Sequence, residues 1–392
     1  MANRGVRAAT RAGQADPDAA ALRSPDRHGD ADAESGLVDF AVNVQPGPPG
    51  FLRRALTDRI GSLAGYPAEA DEQRARAAIA DLHGRSPDEV LLLAGAAEGF
   101  ELLARLAPRR AVLLEPTFTE PARVLGAAGV ELVRVQLRAP WRLDGAAARV
   151  TKALEAPSAA GPGPDLVIIG NPTNPTSVLH PREQVAALAG PGRILVVDEA
   201  FADLTLGGAH AGAAAGEPES LAGERAADLI VIRSITKTFG LAGLRAGYLL
   251  AAPELIARLE TGRRHWPLGT LALTALAEAA GADGQRYVAQ TAAQIAEDRE
   301  YLVAALAAIG VPACAPPQAP FVLIEVPDGL AVKAALRAHG FGVRSCANFT
   351  GLSDDHLRLA VRPRPAVDEL VTALRAILPT GQDGGMTGKT SR

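Results

Sequence analysis

The chain has 392 residues, of which 48% are hydrophobic and 4% aromatic, with a formal net charge of −4; that length accommodates two or three domains and a large core built mostly from Ala, Leu and Val. No basic block stands out, which argues against nucleic acid as a partner, and no apolar run reaches the roughly 18 residues that cross a bilayer. Two cysteines, Cys314 and Cys346, make neither a metal knuckle nor a disulfide framework, so no metal site is expected and a reducing cytoplasm fits.

In chain order, residues 1–36 lack periodicity, are rich in Ala, Asp, Arg and Gly, and hold no apolar core of signal-peptide length; they read as a mostly disordered arm. Short apolar runs then recur at 90–94 (VLLLA), 111–114 (AVLL), 166–169 (LVII), 194–197 (ILVV) and 229–232 (LIVI), as expected of strands buried on both faces of a parallel sheet. Amphipathic segments between them, such as 98–106 and 182–188, predict helices, which is the rhythm of βαβ units. The Pro- and Gly-rich stretch 156–165 predicts a loop. After Trp266 the pattern changes to long helical segments over about 271–308, strand 321–326, helix 331–339, strands 341–344 and 357–361, and helix 367–378. The expected class is α/β with a mostly parallel sheet, joined to a smaller α+β domain and a flexible tail at 379–392.

Four motifs follow the apolar runs. Residues 234–248 read SITKTFGLAGLRAGY; a lysine ending a buried strand, Lys237, suits nucleophilic attack on a carbonyl carbon, and Arg245 can clamp a phosphate with Ser234. By itself Lys237 reads equally well as an ordinary strand-to-loop lysine. Residues 196–201 read VVDEAF, and Asp198 at a strand's C-terminal end faces the crevice where α/β sheets bind ligands. A carboxylate there can hold a pyridine nitrogen protonated, although Asp198 alone reads better as a helix N-cap. Residues 170–177 read GNPTNPTS, whose Asn-Pro steps force a turn-rich loop in which an Asn amide can donate to a phenolate oxygen; a plain turn is the other reading. Residues 94–99 read AGAAEG, small enough for backbone N–H groups to approach a phosphate at a helix N-terminus, though such turns are common.

The order and context of these motifs resemble the fold-type-I pyridoxal-phosphate enzymes, the class I and II aminotransferases, over about residues 39–378. The resemblance implies an aspartate-aminotransferase-like fold, with an N-terminal segment of the small domain at 37–60, a large cofactor-binding domain at 61–270 and a small C-terminal domain at 271–378. It implies pyridoxal 5′-phosphate as cofactor, with Lys237 forming the Schiff base and Asp198 pairing with the pyridine nitrogen. Asn174 would bond the ring oxygen, Phe118 would stack on the ring, and Gly95, Ala96, Ala97, Ser234, Thr236 and Arg245 would surround the phosphate. Arg358 would bind a substrate carboxylate bidentately. Tyr66, in Gly-Tyr-Pro, resembles the tyrosine that reaches the cofactor of the partner subunit, which implies a homodimer with shared active sites. A core aromatic, a strand-surface arginine and a turn tyrosine are the plain readings of Phe118, Arg358 and Tyr66.

Within that family the chain is similar to two groups, the threonine-phosphate decarboxylases of cobalamin synthesis and the histidinol-phosphate aminotransferases, both of which take a small phosphorylated amino acid or amino alcohol. Four details lean toward the decarboxylases: His28-Gly29 ahead of DFAVN at 39–43, Asp-Glu-Ala-Phe in place of Asp-Glu-Ala-Tyr at 198–201, Ser-Ile-Thr-Lys at 234–237, and VRSCANFTGL at 343–352. The expected reaction is therefore decarboxylation of L-threonine O-3-phosphate to (R)-1-aminopropan-2-yl phosphate, with histidinol-phosphate aminotransfer to 2-oxoglutarate as the alternative. By the same resemblance Arg344 would hold the substrate phosphate with Asn43 and His28. Three departures fall on the substrate side: Ser177 where the family has Gly, Gly269 where Asn is expected, and Pro320 in Ala-Pro-Phe where Ala-Asn-Phe is common.

Overall fold

The computed structural model describes residues 22–24, 29–157, 163–206 and 217–378. In chain order its strands are β1 (Val38–Phe40), β2 (Val90–Leu93), β3 (Arg110–Glu115), β4 (Glu131–Gln136), β5 (Leu166–Gly170), β6 (Ile194–Asp198), β7 (Leu229–Ser234), β8 (Gly247–Ala251), β9 (Phe321–Glu325), β10 (Phe341–Ser345) and β11 (His356–Ala360). A large sheet takes the order β2-β8-β7-β6-β5-β3-β4, and a small one the order β1-β10-β11-β9. In the large sheet β8 runs against both its neighbours, and the remaining pairs are parallel.

Strands β2, β3, β5 and β7 are buried at every residue, because helices cover both faces of the sheet. Val90 and Leu92 point into one apolar cluster with Ile79 and Leu276, while Leu91 and Leu93 point into another with Phe100 and Leu259. The strand's period of two is thus satisfied by apolar residues on both sides, which is why the sequence shows a run rather than an alternation. Each such leucine taken fully out of water contributes about 1.5–3 kcal/mol. Strand β4, at the sheet edge and half exposed, carries alternating polar residues (ELVRVQ) and lacks the apolar run that marks the others.

The reversal of β8 matters for function. Its first residue lies beside the last residues of β7 and β2, with Gly247 opposite Ser234 and Leu93. The loop ahead of β8, which carries Arg245, therefore arrives at the same edge as the loops leaving β2, β3, β5, β6 and β7. A Cβ at Gly247 would come within 2.7 Å of the Arg233 carbonyl oxygen and 3.0 Å of the Ala96 nitrogen, so only glycine permits this approach.

In the small sheet β1 is parallel to β10, and β10, β11 and β9 are successively antiparallel. Its core joins Phe40, Val322, Ile324, Leu357 and Leu359 to Leu302, Leu370 and Leu374 of the covering helices Ala282–Ala307 and Arg364–Ile377. The helical stretch predicted over 271–308 is two helices, Thr270–Ala280 and Ala282–Ala307, meeting at an extended Gly281.

Residues 29–36 were expected to continue the disordered arm, and here the structure differs. Gly29–Asp32 form a 3₁₀ turn, and the buried Asp32 carboxylate sits 3.1 Å from Lys333 Nζ and 3.5 Å from Arg344 Nη1. Glu34 pairs with Arg337, and Arg23 with Asp354. Cations of the small domain hold this stretch, which no periodicity in the sequence could signal. Residues 1–21 and 25–28, including His28, and the tail at 379–392 lie outside the described residues, as do residues 158–162 of the loop 156–165. Among the described residues no helix is long and apolar enough to cross a membrane.

Candidate active site

A cavity of about 450 Å³ opens at the edge of the large sheet where the small sheet approaches it. Large-sheet loops bring Ala96, Ala97, Phe118, Asn174, Asp198, Ser234, Thr236, Lys237 and Arg245 to its wall. Asn43 comes from the segment after β1, and Arg344 and Arg358 come from β10 and β11.

On the large-sheet side, Ala96 opens the helix Ala96–Leu103 and Gly95 caps it with φ +82°. A Cβ on Gly95 would lie 2.7 Å from Arg245 Nη2, so the guanidinium rests against a glycine that leaves room for it. Gly95 stands behind the wall and acts by what it lacks. Ser234 Oγ accepts the Thr236 N–H at 3.2 Å, turning the chain beyond β7. The partly buried Lys237 follows, three residues past the strand rather than at its end. Its carbonyl accepts the Gln45 N–H at 2.9 Å, and the fully buried Thr238 next to it donates to Asp203 at 2.6 Å, so the lysine's backbone is held on two sides.

Asp198 ends β6, and its Oδ1 accepts the Ala200 N–H at 3.1 Å. Burial lifts its carboxyl to about 6, against the lowering effect of that bond and with Glu199 adding to the rise. Asn174 Oδ1 accepts from Arg358 Nη1 at 2.5 Å, which turns the amide so that Nδ2 is the group left to donate. This donor set fits pyridoxal phosphate: helix N–H groups, Ser234 and Arg245 suit its phosphate, Asp198 its protonated ring nitrogen, Asn174 its phenolate oxygen and Lys237 its carbonyl carbon.

On the small-sheet side, Arg344 and Arg358 stand directly opposite each other in the β10–β11 register, 3% and 6% exposed. Like charges in that relation destabilise a sheet. Arg344 donates to Asn348 at 2.9 Å and lies over the Phe349 ring at 5.6 Å. Arg358 also donates to the Ala41 carbonyl at 2.8 Å and lies over Phe321 at 5.2 Å, yet its Nε has no hydrogen-bond partner among the described residues. Burial pulls this guanidinium down to about 10; the nearby Cys346 works upward, and Arg344 reinforces the fall. Asn43 is 4% exposed and its Oδ1 likewise lacks a partner among the described residues. An open Arg358 Nε on a cavity wall, beside two facing cations, suits an anionic ligand, and the open Asn43 Oδ1 suits a ligand N–H or O–H.

Tyr66 is not brought to this cavity; it is 77% exposed and stacks on Trp266 at 4.3 Å. Gly269 precedes the helix Thr270–Ala280 and is also away from the wall. Several residues of the site were not anticipated, Glu120 and Phe321 among them. Glu120 is buried on the wall, and its signal was its place shortly after the apolar run 111–114, the pattern that marked Phe118. Phe321 underlies Arg358 and meets Phe201 edge-on at 5.1 Å, a contact that depends on strand register and leaves no local trace.

Comparison with known proteins gives the family and the fold. The family described as aminotransferase class I and II matches residues 35–377. A histidinol-phosphate aminotransferase of Mycobacterium tuberculosis is 46% identical over 347 residues, covering 88% of this chain and 89% of its own. A threonine-phosphate decarboxylase of Salmonella typhimurium is 30% identical over 353 residues, covering 87% and 91%. The fold is shared with a histidinol-phosphate aminotransferase of Sinorhizobium meliloti solved with pyridoxal-5′-phosphate (TM-score 0.73, 22% identity, 93% of this chain and 95% of that one).

Proposed function

The chain belongs to the class I and II aminotransferase family and takes pyridoxal 5′-phosphate, and from that premise we propose that it transfers the amino group of a small phosphorylated amino compound, histidinol phosphate in the first instance, to 2-oxoglutarate. The observation that carries this is the facing pair Arg344 and Arg358, buried on the wall of the cavity that Lys237 also lines. Arg344 keeps the Asp32 carboxylate 3.5 Å from its Nη1, and with Arg358 it suits the anionic groups of the two substrates: the phosphate of the amino donor, and the carboxylates of the keto acid that follows it. The name of the mycobacterial relative supports aminotransfer over the decarboxylation that the sequence motifs favoured.

The bound cofactor supplies an electron sink. Asp198 would keep a proton on its ring nitrogen, Asn174 Nδ2 would donate to its ring oxygen, and Ser234, Arg245 and the N–H groups at Ala96 and Ala97 would hold its phosphate. Lys237 Nζ would take the proton from the substrate carbon, hold it and give it back as the acid. Arg358 and Arg344 set the substrate's orientation, and Phe118, Phe201 and Phe349 keep water from the reacting carbon.

Decarboxylation of L-threonine O-3-phosphate is the second reading, favoured by Phe201. Its ring packs against Phe321 and offers no hydroxyl to the ring oxygen, and a substrate with both carboxylate and phosphate would occupy both arginines at once. Holoenzyme given histidinol phosphate and 2-oxoglutarate is expected to form glutamate. Release of CO₂ from L-threonine O-3-phosphate without any keto acid, with no glutamate formed in the first assay, would sink the aminotransfer reading in favour of the second.

A further inference from the structure

Ser177 closes the loop after β5 in a left-handed backbone, φ +62°, at a position with no exposed surface. Glycine adopts such a φ freely, and serine does so only with strain, so a serine held here implies a use for its hydroxyl. The Oγ accepts the N–H of Gln318 at 3.1 Å and that of Ala319 at 2.8 Å, and the Ser177 carbonyl accepts the Gln318 N–H at 2.8 Å. Gln318 and Ala319 lie on the small-domain chain just before β9, and Arg299 donates to the Gln318 carbonyl at 2.9 Å from the other side.

The bonds form part of a closed ring. Two residues beyond Ala319, Phe321 underlies Arg358 at 5.2 Å. Arg358 Nη1 donates to Asn174 at 2.5 Å, and Asn174 lies three residues before Ser177 on the same loop. The ring passes between the large and small sheets at two points, Ser177 with Ala319 and Arg358 with Asn174. Without the hydroxyl, the N–H of the fully buried Ala319 loses its acceptor and the first crossing is left with the single backbone bond from Gln318 to the Ser177 carbonyl.

We propose that Ser177 is a positioning residue whose hydroxyl locks the chain carrying Phe321 against the Asn174 loop and thereby fixes the Arg358 guanidinium at the place where it receives a substrate carboxylate. The proposal rests on Arg358 as the carboxylate anchor and is indifferent to which bond of the substrate then breaks.

The test is binding of succinate, a dicarboxylate that cannot react, to holoenzyme by calorimetry, beside the affinity of apoenzyme for pyridoxal phosphate. Ser177→Gly removes the hydroxyl and relieves the backbone, so it is the variant that keeps the fold. It is expected to weaken succinate about tenfold, leave the cofactor affinity unchanged and speed amide exchange at Ala319. Unchanged succinate affinity would overturn the proposal. So would equal weakening of succinate and cofactor, the mark of a merely structural role, and so would a wild type that binds no succinate saturably. Ser177→Ala, which keeps the strain, should match Ser177→Gly in succinate affinity; wild-type affinity in that variant would also refute a role for the hydroxyl. No turnover is read, so failure of the aminotransfer assay and failure here are separate results.

Discussion

A carboxyl lifted to about 6 by burial, as at Asp198, makes the apoprotein respond to pH in a definite direction. The folded value lies above the ordinary 3.8, so the neutral form is favoured in the fold. Its stabilising contribution is complete below about pH 4 and is lost as pH rises through about 6. Asp198→Asn has no such loss, so apo Asp198→Asn is expected to exceed wild type by roughly 3 kcal/mol at pH 8, with the gap closing below pH 4. Urea unfolding of both apoproteins at pH 4 and pH 8 checks this, and an equal gap at both pH values would contradict it. Gly95→Ala is a second residue-scale prediction. Its Cβ would stand 2.7 Å from Arg245 in a left-handed backbone, so it should cost about 1–2 kcal/mol of stability and weaken cofactor binding, measured by denaturant unfolding and a pyridoxal phosphate titration. At this scale much was legible beforehand. Lys237, Asp198, Asn174 and Arg245 each follow an apolar run, and the fold brings them to one cavity. Tyr66 stayed outside it, and Phe321 was invisible as a site residue because its role lies in what sits across the strand.

Among elements, the β10–β11 pair is the one whose stability should depend on ligand. Arg344 and Arg358 face each other in the register, with the Asp32 carboxylate 3.5 Å from Arg344 Nη1, and an anion that joins the two guanidinium groups binds the native state alone. Phosphate at about 100 times its Kd should then add roughly 2.7 kcal/mol, seen as a rise in melting temperature beyond that given by chloride at equal ionic strength. An equal rise in the Arg344→Gln, Arg358→Gln double variant would remove this account. The legibility of elements followed burial. Strands covered on both faces, such as β5 and β7, announced themselves as apolar runs. Edge strand β4 did not, and β8 was hidden because its five residues GYLLA begin inside the glycine-rich motif that holds Arg245. The antiparallel course of β8 had no local signature, since direction in a sheet is set by partners distant in sequence.

At the scale of the whole molecule, Ile60, Leu63, Tyr66 and Trp266 are each more than half exposed, with Tyr66 and Trp266 stacked on each other. Large apolar side chains gathered on a surface mark an interaction site, and a second copy of this chain is the partner the family resemblance implies. Wild type is expected to sediment as a dimer and the Tyr66→Asp, Trp266→Asp double variant as a monomer; a monomeric wild type would remove the shared-site reading of Tyr66. The sheet order has a further consequence, in time rather than space. Among the described residues β2 pairs only with β8, so Leu93 waits for Gly247 to be made. At synthesis rates of about 5–20 residues per second, roughly 8–30 seconds separate the two. Throughout that interval the ribosome-bound chain carries β2 without its partner, and near its end β7 joins with one edge open, and other strands can capture both. β1 waits longer still, for β10. The strand placement that delivers Arg245 to the cavity therefore also leaves the nascent chain with unpaired strand edges until most of its length has emerged.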